Sequence, residues 1–244
     1  MSAPSKGTLR GVGVGPGDPE LITLKALRMI AAAPVIAYFA KAGRAGHART
    51  IAAQWLTPGH TEIAMHYPLT TEIPFADPAY ALALDQFYDF QASCIAGHLD
   101  AGRDVSVLCE GDPMFYGSFM HLFIRLQSRF ATEICAGVTG MAGCWSSARQ
   151  PMCWGDNVVS VLPGTLPRAT LTARLKNADA AVIMKLGRNF AKVCAAVIDA
   201  GRLEGAIYAE RGTMAGERIA PLRDMQGAPA PYFALVLIPG RKER

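Results

Sequence analysis

Residues Gly11 to Ala26 read GVGVGPGDPELITLKA, with four glycines and a proline in the first seven positions and an amphipathic run behind them. The stretch LRGVGVG reads as a first strand that runs directly into a glycine-rich turn. Asp18 is placed to cap a helix with Pro19 at its first position, and Leu21, Leu24, Leu27 and Ile30 then fall on one helix face. Glycine at this density marks main chain approaching something closely, because a Cβ would block it.

The strand–helix rhythm continues outward. Strands are expected at PVIAYF (34–39), DVSVLCE (104–110) and TEICA (132–136). A long helix is expected over 78–101, carrying Leu84, Phe87, Ile95 and Leu99 at helical spacing, and a shorter one over about 119–127. GVTGMAGCWSSARQ starts a closely packed helix, and 41–76, rich in Pro, Gly, Thr and His, reads as irregular with short helical pieces. The character changes near 148–155, which places a boundary between domains 1–150 and 151–244. The second half carries strands at 157–162, 180–186, 205–211 and 232–239, with helices at about 167–177 and 189–200; its last two strands are expected to pair antiparallel. Such alternation predicts an α/β protein whose sheets are covered by helices.

Composition removes several classes of function. Half of the chain is hydrophobic (51%), and the net charge of +4 is spread without a basic run. That argues for a globular protein and against nucleic acid as a partner. Six cysteines without a CxxC pair, and five scattered histidines, give no metal-ligand spacing; they read as reduced thiols, most of them in the core, in a cytoplasmic protein. MIAAAPVIAYFA, the longest apolar stretch, is broken by Pro34 and too short to cross a bilayer, so no membrane partner is expected.

The first glycine turn fits neither phosphate-binding fingerprint. A dinucleotide turn needs G-x-G-x-x-G; counting from Gly11 the third position is Pro16, and from Gly13 it is Asp18. No Lys-Ser or Lys-Thr follows to make a P-loop. Two further turns, Gly111-Asp112-Pro113 and CAGVTGMAGC, also follow strands. Ligands in open α/β sheets bind beyond the carboxyl ends of strands, so the three turns are expected to face one crevice.

VGVGPGDPELITLKA and VSVLCEGDPMFYG resemble the two signatures of the tetrapyrrole methylases, enzymes that methylate corrin and sirohaem precursors with S-adenosylmethionine. Ala136 departs from the pattern, where a Pro would stand before Gly137. Glu110 before Gly-Asp-Pro, with MKLGRN (184–189) and AERGTM (209–214), resembles the branch that methylates precorrin-2 at C(20). Metal-free and cobalt-loaded substrates both remain open, as do other methylases of the family, such as those acting on uroporphyrinogen III. A diphthine-synthase-like protein methylase and a non-enzymatic binding module are rival readings.

The resemblance implies two αβα domains with S-adenosylmethionine held folded in a cleft between them, and a homodimer. It assigns Pro16, Gly111, Asp112, Phe115, Thr139, Gly140, Leu186, Gly212 and Thr213 to the cofactor. A flat macrocycle fringed with carboxylates calls for cations, and Lys41, Arg44, Arg49, Lys185 and Arg188 are the candidates. Glu110 and Tyr116 are candidate acid–base groups for the proton that must leave; Glu110 could instead cap a neighbouring helix.

Overall fold

In the computed structural model, which describes residues 5–68, 78–225 and 227–241, the chain falls into two units, Met1–Thr139 and Gly140–Arg244. The first unit carries the strands β1 (Leu9–Gly13), β2 (Val35–Lys41), β3 (Thr61–Tyr67), β4 (Val105–Cys109) and β5 (Thr132–Cys135). All pair in parallel, in the order β3-β2-β4-β1-β5. All five residues of the central strand β4 are buried, the continuous apolar run of a strand covered on both faces. Its one hydroxyl is satisfied: Ser106 Oγ donates to Met29 O at 3.0 Å.

Helices α1 (Leu24–Ala32) and α2 (His47–Ile51) bury Ala26, Ile30, Ala48 and Ile51 against Val12 and Ile36 on one face of this sheet. Helices α3 (Pro78–Asp100) and α4 (Phe119–Leu126) bury Ile95, Leu99, Phe119 and Leu122 against Leu9, Val105 and Val107 on the other. β1 and β4 are neighbours, yet the chain leaves β1 towards α1 and leaves β4 towards α4. Adjacent strands whose connections depart to opposite faces form a topological switch point, where an open sheet has its crevice.

Two expectations for this unit change. Asp18 does cap Pro19, accepting from Glu20 N–H at 2.9 Å, but only a 3-10 turn over Pro19–Leu21 results. The α-helix starts afresh at Leu24, capped by Thr23 Oγ1, which accepts from Ala26 N–H at 3.1 Å. The restart turns the buried face to Ala26, Met29 and Ile30 and leaves Leu24 74% exposed. The stretch 41–76, expected to be irregular, contains α2 and all of β3, while residues 69–76 of it lie outside the described residues.

The second unit contains α5 (Gly140–Ser147), β6 (Val159–Pro163), α6 (Arg168–Lys176), β7 (Ala180–Met184), α7 (Phe190–Asp199), β8 (Ile207–Glu210), β9 (Arg218–Pro221) and β10 (Ala234–Ile238). Its sheet runs β6-β7-β10-β8-β9, with only β6 and β7 parallel. β8 and β10 pair antiparallel, and the short edge strand β9, which the sequence reading missed, lies beyond β8. α6 and α7 cover one face through Leu171, Leu175, Val193 and Val197. On the other face Cys144 of α5 packs with Val182, Ala209 and Leu237. That packing draws α5 into the second unit, so the division falls ahead of the boundary expected after residue 150. Each unit is a sheet between helices, and the α/β expectation holds in its αβα form.

Candidate active site

Loops leaving the carboxyl ends of β1, β4 and β5 meet at the switch point. Gly111 N–H donates to Gly15 O at 2.8 Å, which joins the first loop to the second. Asp112 joins the second to the third: its Oδ2 accepts from Gly137 N–H at 3.1 Å, and its Oδ1 from Met114 N–H at 2.8 Å. A Cβ on Gly137 would stand 2.0 Å from Gly111 O, and one on Gly13 would stand 2.6 Å from the same oxygen. These glycines are therefore demanded first by the loops' approach to one another. Gly140 differs, since a Cβ there would meet open space.

Backbone strain gathers in the motif segments. Five described residues other than glycine have positive φ, and four of them are Tyr116 (+55°), Lys185 (+57°), Arg211 (+50°) and Thr213 (+67°), in GDPMFYG, MKLGRN and AERGTM. Such conformations cost energy and persist where the surrounding structure enforces them, often at functional sites. Pro16 is buried, Asp112 and Thr139 are half-buried, and Phe115 packs edge-on against Tyr116 at 4.9 Å. Tyr116 itself is 45% exposed.

In the second unit, the Leu186 side chain belongs to the hydrophobic core. Gly212 is a close-approach position, because a Cβ would lie 2.5 Å from Cys144 Sγ and 2.9 Å from Cys144 Cα. Burial pushes the pKa of the Cys144 thiol up to about 11. Thr213 N–H donates to Glu217 Oε2 at 2.6 Å.

The candidate cations separate into two kinds. Lys41 and Arg44, at the end of β2 and in the turn after it, are exposed, as are Lys185 and Arg188 beyond β7. Arg49 is committed elsewhere: its Nε and Nη2 donate to both oxygens of Glu62 at 2.9 and 3.0 Å. The pairing with Arg49 holds the Glu62 carboxyl below its ordinary range, and Tyr38 adds a hydrogen bond. Arg49 thus clamps α2 to β3, which argues against its expected role as a substrate cation.

Glu110 stands half-buried just past β4. Burial raises its pKa to about 7, although the carboxyl accepts a hydrogen bond from Ala48 N–H.

A hydroxyl cluster beside the second loop escaped the sequence reading. Tyr67 Oη and Ser118 Oγ lie 2.5 Å apart, and Tyr88 Oη donates to Ser118 Oγ at 3.1 Å. Phe39 stacks on Tyr67 with ring centroids 5.5 Å apart. The alternation of Ile63, Met65 and Tyr67 is the period-two signal that could have revealed β3 and brought Tyr67 to the site.

All six cysteines are free, with Cys153 exposed and Cys94 half-buried. Among the described residues no helix is long and apolar enough to cross a membrane, and no group of three or more His, Cys, Asp or Glu could hold a metal ion.

The family model for Tetrapyrrole (Corrin/Porphyrin) Methylases matches residues 8–226. A Sinorhizobium protein named precorrin-2 C(20)-methyltransferase is 51% identical over 244 residues, the whole of both chains. A Salmonella typhimurium protein named cobalt-precorrin-2 C(20)-methyltransferase is 29% identical over 237 residues, covering 95% of this chain and 96% of that one. Among solved structures, a uroporphyrin-III C-methyltransferase from Thermus thermophilus, complexed with S-adenosyl homocysteine, shares the fold at TM-score 0.66 and 22% identity, over 95% of this chain and 96% of that one.

Proposed function

The chain belongs to the tetrapyrrole (corrin/porphyrin) methylases, and from that premise we propose that it methylates precorrin-2 at C(20), giving precorrin-3A, in cobalamin biosynthesis. The observation that carries this reading is full-length identity of 51% to a protein named for that reaction, against 29% to one named for the cobalt-loaded substrate.

When bound, S-adenosylmethionine supplies a methyl group already activated on a sulfonium. The chain's task is then to align the acceptor carbon and keep water away, and no nucleophilic side chain is needed. The loops at the switch point suit that task. Asp112 fixes the second loop to the third, and the main chain is bare at Gly140, where α5 begins after the third loop. We assign Pro16, Gly111, Asp112, Phe115, Thr139 and Gly140 to the cofactor, and with them Leu186, Gly212 and Thr213, which stand in motifs shared with the family. Given how the core holds its side chain, Leu186 would contribute through its main chain.

Lys41, Arg44, Lys185 and Arg188 are the cations we assign to the substrate's carboxylates. Tyr116, exposed in a strained turn, is the hydroxyl we assign to handling the departing proton. In this reading the enzyme is a cytoplasmic homodimer, which light scattering on the purified protein checks.

The deciding experiment is transfer of a labelled methyl group to a panel of metal-free precorrin-2, cobalt-loaded precorrin-2 and uroporphyrinogen III. One methyl appearing at C(20) of the metal-free compound is the expected outcome. Preference for either other acceptor, or absence of S-adenosylmethionine binding by calorimetry, refutes the reading.

A further inference from the structure

Ser118 stands at the start of α4, where a serine ordinarily caps a helix through its hydroxyl. It makes no such bond. Its backbone is already helical, at φ −67° and ψ −18°, and carbonyls serve the first N–H groups instead: Met120 N–H donates to Gly117 O at 3.3 Å and His121 N–H to Ser118 O at 3.1 Å. The hydroxyl turns to two phenols. Tyr67 Oη lies 2.5 Å from Ser118 Oγ, and Tyr88 Oη donates to the same oxygen at 3.1 Å.

Both phenols are firmly mounted. Tyr67 is the last residue of β3, in register with Lys41 at the end of β2, and Phe39 stacks on its ring. Tyr88 is buried on α3, with the His121 ring stacked against it at 4.1 Å between centroids and 10° between planes. One serine hydroxyl therefore joins a strand end and a helix to the back of the second glycine loop. The back is also where that loop is strained. Tyr116 has φ of +55°, and a Cβ on the next residue, Gly117, would stand 2.9 Å from Pro113 O. A conformation of this kind persists where its neighbours enforce it. The front of the loop has a separate tether, Asp112 Oδ2 on Gly137 N–H.

We propose that Tyr67 and Tyr88 are positioning residues: through Ser118 Oγ they hold the Tyr116–Gly117 turn in the shape that methyl transfer requires. The proposal rests on the reading of this loop as part of the methyl-transfer site. It differs from direct contact, in which either phenol would touch the macrocycle.

Variants of the full-length enzyme, assayed with the acceptor that the labelled-methyl panel selects, separate these roles. For Ser118→Ala we expect kcat to fall about thirtyfold, because a misplacement of about 1 Å in a reacting arrangement costs up to about a hundredfold. KM for the acceptor and affinity for S-adenosylmethionine should stay within about threefold, since Asp112 still holds the front of the loop. Tyr67→Phe combined with Tyr88→Phe should give the same pattern. Ser118→Thr, which keeps a hydroxyl, should stay within about threefold of wild-type kcat. Adding both Phe substitutions to Ser118→Ala should cost nothing further, since groups that act through one atom are not additive.

Wild-type kcat in Ser118→Ala or in the paired Phe variant overturns the proposal. So does a triple variant slower than Ser118→Ala by about tenfold or more, because a phenol would then touch the substrate. S-adenosylmethionine affinity that falls in step with kcat overturns it as well, for the whole loop would then have loosened. If Ser118→Ala does not fold, Tyr67→Phe alone takes its place, with kcat lowered about tenfold and affinity unchanged. A wild-type enzyme that methylates no acceptor in the panel refutes the functional reading, and this proposal with it, before any variant is compared.

Discussion

Gly137 and Gly140 stand three positions apart and answer to different demands. A Cβ on Gly137 would lie 2.0 Å from Gly111 O, a main-chain atom that cannot swing aside. Gly137→Ala is therefore expected to destabilise the protein by about 3 kcal/mol in urea titrations. Gly140 faces open space at the first position of α5. Gly140→Ala should leave stability unchanged or raise it by roughly 0.5 kcal/mol, yet weaken S-adenosylmethionine binding about tenfold by calorimetry, roughly 1.4 kcal/mol. Normal affinity in that variant would remove Gly140 from the cofactor site. The sequence advertises that main chain comes close at these turns, but it cannot say to what. The partner of Gly137 is Gly111 O, 26 positions earlier in the chain, and only the folded sheet brings the two together. Arg49 misleads for the same reason, since Glu62 reaches it from a neighbouring strand.

Among the elements, α1 shows how two valid start signals compete. Asp18-Pro19 is a sound cap, and it is used, but for one 3-10 turn; Thr23 then caps the helix that packs. Leu24 and Ile30 look equivalent in the apolar pattern and differ completely in place, at 74% and 0% exposure. Leu24→Lys should change stability by no more than about 0.5 kcal/mol, whereas Ile30→Ala should cost roughly 2–5 kcal/mol. Equal costs for the two would mean that the helix runs on from Pro19 with the face first expected. Long apolar runs were legible because burial on both faces leaves little room for polar residues, as in β4, where Ser106 is the one exception. β9 was not legible, and β3 showed itself only in the alternation of Ile63, Met65 and Tyr67, because each is an edge strand with a largely exposed or half-exposed pattern and so a weak apolar signal.

At the level of the whole molecule, strand–helix alternation sufficed for the two αβα units, because each sheet must bury both faces. The boundary between them was not readable, since α5 continues the chain from the third loop while its packing partners, Val182, Ala209 and Leu237, lie far along the sequence. Global stability also integrates opposing titrations. Burial raises the Glu110 pKa from 4.5 to about 7, with only Ala48 N–H opposing. A raised carboxyl pKa gives stability that is full below 4.5 and is lost as pH rises through 7. His98 and His121 act the other way: burial lowers both below 6.5, so their contribution is present above 6.5 and is lost on acidification. Glu62, lowered by Arg49, adds a further loss below 4.5. The wild-type stability profile between pH 5 and 8 is thus a sum of opposed slopes and isolates none of them. The difference between Glu110→Gln and wild type does isolate Glu110, because the histidines and Glu62 cancel in it. That difference should favour the variant increasingly from pH 5 to pH 8, by up to about 3 kcal/mol before solvent screening of a half-buried group reduces it. Urea unfolding midpoints across this range provide the measurement. A difference that does not change with pH would mean that Glu110 pays no burial penalty in the folded protein, and its carboxyl would then have to stand in water rather than against α2.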